Sequence, residues 1–167
     1  MLKNLFLALL AILFLASCAG TQTTFGVGVP THIHSLDQRW KGDTHKIGTV
    51  STTKDNWELA FNTYYYDMKD EKFTTQSIGV LYHLRKEWGW FFVDGGAGLH
   101  LGTKDKDNYL LAHSNLLGDI KLSVGVKKEF EKFRLECMYT LQHISVPFRS
   151  DRGLNYDMVR VGITIPF

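Results

Sequence analysis

The chain has 167 residues, 44% hydrophobic and 22% charged, with a formal net charge of +2. That length suits one domain, and the near-balanced charge gives no reason to expect a nucleic-acid partner. Lys3 belongs to a leader, and its removal leaves about +1.

The N-terminus carries Lys3, then an apolar run from Leu5 to Ala16, then small residues. The run is too short to span a bilayer as a helix and suits the core of a signal peptide. Residues 1–17 therefore read as an export signal and residues 18–167 as the mature domain. Leu15-Ala16-Ser17-Cys18 resembles a bacterial lipobox, which would acylate Cys18 and make it the first mature residue. Ordinary cleavage after Ala19, with Ser17 at the −3 position, is the alternative. If Cys18 is lipidated, Cys137 has no disulfide partner within the chain.

From there the sequence alternates with period two, the mark of strands with one apolar and one polar face. A first strand covers Thr23–Val29, with Phe25, Val27 and Val29 on one face. A weaker one lies at Lys46–Ser51. Asn56–Tyr65 sets Trp57, Leu59 and Phe61 against Glu58, Ala60 and Asn62. Ile78, Val80 and Tyr82 mark a fourth strand. Phe91, Val93, Ala97, Leu99 and Leu101 mark a fifth, through the glycines at 95–98. Leu117–Val126 alternates most cleanly, with Asp119, Lys121 and Ser123 opposite Ile120, Leu122 and Val124. Phe133–Ser145 and Met158–Phe167 complete eight strands.

The connections alternate in length. Segments at Thr52–Asp55, Arg85–Glu87 and Glu129–Lys132 are short. Those at Pro30–His45, Asp67–Lys72, Thr103–Ser114 and Val146–Gly153 are longer and more polar. The pattern predicts an all-β fold, an eight-stranded antiparallel up-and-down transmembrane barrel. A soluble eight-stranded barrel of the lipocalin kind fits the alternation equally well. The C-terminus decides between them. Arg160-x-Gly162-x-x-Ile165-x-Phe167 resembles the signal by which outer-membrane proteins are recognised for barrel assembly. It makes the barrel-assembly machinery an expected partner through Phe167, in the bacterial outer membrane with both termini periplasmic. Eight strands leave an interior that side chains fill. Glu58, Asp94, Asp119, Lys121, Arg134, Glu136 and Arg160 are then expected to pair inside it. Trp57, Trp88, Trp90, Tyr64, Tyr65 and Tyr66 read as aromatic girdles.

That topology sets His143 and Ser145 at the outer end of the seventh strand, on its lipid-facing side. A strand leaving the hydrocarbon carries such residues without chemistry. A histidine two residues from a serine on one face can also act as its base, because serine is a weak nucleophile until a neighbour takes its proton. Asn155 and Asp157 continue the outward face of the last strand, and either could stand opposite His143 to orient it. Asp157 has the carboxylate that this role favours.

The run Gln142-His143-Ile144-Ser145, a short loop, Gly153-Leu154-Asn155 and a terminal strand together resemble the lipid A 3-O-deacylase (PagL-type) family, also described as bacterial acyloxyacyl-hydrolase-like. The resemblance covers about 25 residues closely and the architecture loosely. It implies a carboxylic ester hydrolase that removes an acyl chain from lipid A of lipopolysaccharide. Ser145 would be the nucleophile, His143 the base and Asp157 the acid, with Asn155 as the alternative occupant of the acid position. No cofactor and no metal is implied. The departure is Val146, where the family has an asparagine associated with the oxyanion site. Arg149 and Arg152 in the adjoining loop would contact lipid A phosphates. The competing reading is a non-catalytic small barrel with a structural or adhesive role. His32-Ile33-His34 followed by Asp37 reads as a polar loop rather than a metal site. His113-Ser114-Asn115 echoes the family string, but adjacent strand residues point to opposite faces.

Overall fold

The computed structural model describes residues 20–35, 43–68, 71–103, 114–148 and 153–167. The leader 1–17, Cys18, Asp37, Arg149 and Arg152 lie outside the described residues. Eight antiparallel strands form a closed barrel: β1 (Gln22–Ser35), β2 (Asp43–Lys54), β3 (Trp57–Met68), β4 (Glu71–Trp88), β5 (Phe91–Gly102), β6 (Leu116–Glu129), β7 (Arg134–Ser145) and β8 (Gly153–Pro166). Each strand pairs with its neighbours in the sequence, and β8 closes on β1 from Gln22↔Pro166 to Ser35↔Leu154. Closure leaves no sheet edge with unpaired backbone groups, a condition that lipid imposes.

Burial runs inside out. On β6, Ile120 and Leu122 are 62% and 53% exposed, whereas Asp119 and Lys121 are 2% and 9% exposed. Phe25, Val80, Leu99, Leu141 and Val161 continue the apolar exterior around the barrel. A soluble barrel hides its apolar face within, so this inversion excludes the lipocalin alternative. The outer surface is built for hydrocarbon.

Several strands run further than their alternation indicates. A crossing takes about 9–11 residues, whereas β4 has 18. Beyond the apolar band strand pairing continues without a hydrophobic pattern. Thus Asp67–Met68 and Glu71–Lys72 lie in β3 and β4 rather than in a loop, and Arg85–Glu87 lies within β4. The short turns are Asp55–Asn56, Gly89–Trp90 and the segment from Phe130 to Phe133. Gly89 takes φ +59° and Asp55 φ +53°, left-handed values suited to tight hairpins. At the other end, β1 passes through Pro30 with a register shift between Pro30 and His32. His32 and His34 therefore sit in a strand, not in the polar loop expected.

The narrow interior is fitted by pairing large residues with glycines on the adjacent strand. Gly79 stands opposite His100, Gly98 opposite Leu81, Gly96 opposite His83 and Gly125 opposite Phe92. A Cβ on Gly79 would fall among the ring atoms of His100, and one on Gly125 would lie 2.7 Å from Phe92 Cζ.

Side chains fill the lumen in layers. Nearest the short turns, Arg85 binds Glu136 at 2.6 Å and Glu87 at 2.6 Å, and Lys127 binds Glu87 and Glu129. Next, His83 bridges Glu58 and Asp94, and Lys121 Nζ lies 2.8 Å from Glu58. Above them a chain crosses the barrel. Thr49 donates to Asn62, the Asn62 amide donates to His100 Nδ1, and Gln142 donates to Asp119. His100 Nε2 approaches Asp119 Oδ2 at 2.8 Å, but off the line of a hydrogen bond, so the contact is electrostatic. At the loop end the lumen turns apolar, with Ile47, Tyr64, Leu117, Ile144, Val146, Leu154, Tyr156 and Met158 packed together. Tyr64, expected in a girdle, is only 4% exposed and belongs to this plug. Its neighbour Tyr65 faces out at 51%, as alternation requires. The side chain of Tyr66 lies outside the described residues.

Candidate functional site at the loop-end rim

His143 and Ser145 occupy the last turns of the pleat on β7. Their inward neighbours Gln142, Ile144 and Val146 are buried, so both point out of the barrel, half-buried against the adjoining strands. The register sets His143 opposite Ile120 on β6 and Asn155 on β8, and Ser145 opposite Gly118 and Gly153.

His143 Nδ1 lies 2.7 Å from Asn155 Oδ1. A carbonyl oxygen only accepts, so Nδ1 carries a hydrogen, and in the neutral imidazole Nε2 then holds the lone pair. Asp157, favoured for the acid role on chemical grounds, stands instead opposite Leu141, two residues nearer the short turns. Among the described residues no hydrogen bond or ion pair joins it to His143. The cause is the hairpin register. Gly153 pairs with Ser145, which brings Asn155 level with His143 and carries the carboxylate past it. No hydrogen bond joins Ser145 to His143 either. The Ser145 hydroxyl lies on the β6 side, 3.8 Å from where a Cβ on Gly118 would stand. Val146 turns inward into the apolar plug and offers no donor to the outer face.

The rim holds one residue that period counting missed. The bulge after Pro30 adds a residue to β1, so His32 comes level with Asp157, and its exposed side chain joins the outward group. Thr31, the extra residue, donates its hydroxyl to the Asp157 carbonyl at 2.9 Å. Below this patch, a groove of about 340 Å³ runs along the outer wall, with Ile120, Leu122 and Leu141 on its sides and His143, Asn155 and Asp157 at its polar end. No group of three or more metal-type ligands occurs among the described residues.

The lumen opens at the other end. A cavity of about 350 Å³ opens between the termini and the short turns, and its floor is formed by Glu58, Lys121 and Arg160. Of the charges expected to pair inside, Arg160 alone among the described residues has neither a hydrogen bond nor an ion pair.

Closed sheet, inverted burial and filled lumen define an eight-stranded transmembrane β-barrel. In fold it is similar to the crystal structure of Neisserial surface protein A (NspA), with a TM-score of 0.57 and 14% sequence identity, covering 89% of this chain and 98% of that one. It also matches the N-terminal β-barrel domain of Pseudomonas aeruginosa OprF, with a TM-score of 0.47 and 15% identity, covering 88% and 98% of the two chains. No family model matches the chain, and no curated protein does.

Proposed function

We propose that the chain is a bacterial outer-membrane barrel with a structural, non-catalytic role. Its termini and short turns face the periplasm, and its longer connections form the surface presented outside. The observation that carries this reading is the occluded lumen. Polar layers and an apolar plug close it beyond the cavity at the terminal end, so it offers no conducting path. The terminus supports the localisation. Phe167 is held at the β1–β8 seam by its backbone, through bonds with Gly20 and Thr21 of 3.0 and 2.9 Å, while its ring stays 54% exposed. That leaves an aromatic end for the assembly machinery to grip.

The test is complementation. A strain lacking the protein is scored for envelope leakage to detergent and dye, then supplied with wild type, Ser145→Ala or His143→Ala. A structural role predicts equal rescue by all three. Rescue by wild type alone, with the variants folded and inserted, would overturn it.

A second reading is favoured by one observation, the His143 imidazole oriented by Asn155 with Nε2 bare on the face that carries Ser145. It is lipid A deacylation, with Ser145 as nucleophile, His143 as base, Asn155 in the orienting position and Arg149 and Arg152 on the phosphates. An amide orients an imidazole but does not neutralise the imidazolium that forms during proton transfer. The outer face also lacks the side-chain donor that Val146 replaces. Both features weigh toward the structural reading.

A further inference from the structure

The inward-facing cations divide unequally. Arg85, Lys121, Lys127 and Arg134 each lie against at least one carboxylate. Arg160 does not. Its neighbours on the flanking strands are Gly28 on β1 and Met138 on β7, neither of which carries charge. Gly28 leaves room for its stem, since a Cβ there would lie 3.1 Å from Arg160 Cγ. The guanidinium then reaches over Gly26, where a Cβ would be 3.9 Å from Nη2.

The head group thus lies on the wall of the 350 Å³ cavity, which Thr24, Ser51 and Thr53 also line, the Thr24 hydroxyl sharing a hydrogen bond with that of Thr164. A guanidinium inside a narrow protein lumen costs free energy unless water or an anion satisfies it. Of the carboxylates lining the cavity, Glu58, Glu87, Asp94 and Glu136 are already engaged by other cations or by His83, and the open cavity admits a solute. Arg offers a planar fork that matches two oxygens of an oxyanion, and hydroxyls can donate to the remainder.

We propose that the cavity at the terminal end of the barrel is a binding site for a small oxyanion, a phosphate or carboxylate group, held by Arg160 with Thr24 and Ser51. The site is distinct from the rim and does not depend on the reading of His143.

The test uses the full mature barrel, folded in a maltoside detergent that carries no phosphate. Inorganic phosphate and acetate are titrated separately by calorimetry, against chloride at matched ionic strength. Saturable binding of either oxyanion but not of chloride is expected, and the stronger of the two identifies the group. Arg160→Gln should weaken it about tenfold or more, the loss of a charge-assisted pair. Met138→Glu keeps Arg160 and places a carboxylate opposite it, so it should abolish binding even if Arg160→Gln fails to fold. Absence of saturable binding in the wild type would overturn the proposal, as would undiminished binding by Met138→Glu.

Discussion

On facing positions of β7 and β8, His143 Nδ1 donates to Asn155 Oδ1 across 2.7 Å. The bond fixes which ring nitrogen carries hydrogen and turns the other toward the outer surface. Nitrogen-15 NMR of the folded barrel should report His143 as the Nδ1–H tautomer. Asn155→Leu should remove that bias and destabilise the barrel by about 1 kcal/mol, the net value of such a bond. Asp157→Asn should leave the tautomer unchanged, because Asp157 stands level with Leu141.

The ion pair of Lys121 and Glu58, 2.8 Å apart, lies deep in the lumen, and both side chains are below 10% exposed. Removing one partner leaves the other charged and desolvated. Lys121→Met should lower unfolding free energy by about 3 kcal/mol in vesicle-based denaturant titrations. Adding Glu58→Gln should recover part of that loss, with a coupling of about 1–3 kcal/mol. Simple additivity would show that the pair is solvated from the cavity.

The glycine pairing predicts a contrast between two alanine substitutions. Gly79→Ala drives its Cβ into the His100 ring, which is held by Asn62 and Asp119. A cost of about 1–3 kcal/mol is expected. Gly48 has nothing within 4 Å of the corresponding position, so Gly48→Ala should stay within about 0.5 kcal/mol of wild type. Denaturation midpoints measured side by side decide it.

Lipid contact is tested by depth. Leu122, in mid-strand on the outer face, should cost about 2–4 kcal/mol when changed to Arg. Leu116, at the end of the same strand, should cost about 0–1 kcal/mol. Equal effects would place the bilayer elsewhere on the barrel.

The period-two alternation made the eight strands and their inward faces legible, because each residue's side follows from its neighbour's. The charges at 58, 94, 119, 121, 134 and 136 pair inside as that alternation implies. What period counting lost were quantities set between strands. The hairpin register that chose Asn155 over Asp157 depends on how the β7–β8 connection closes, and two residues of slack, which keep the facing, exchange the partner. The bulge after Pro30 reverses the facing of β1, so His32 joined the rim unseen. Tyr64 looked like half of an aromatic girdle because it adjoins Tyr65, yet adjacent positions face opposite ways. Arg160 carries no sign in the sequence that its neighbours would be glycine and methionine.

On the structural reading, a plugged barrel with this rim acts without chemistry on lipid. Lipid A mass spectra from cells expressing the wild-type protein, beside cells expressing Ser145→Ala, test it most directly. With both proteins folded in the outer membrane, identical acylation patterns are predicted. Loss of one hydroxyacyl chain with the wild type alone would overturn the structural reading and establish the deacylase.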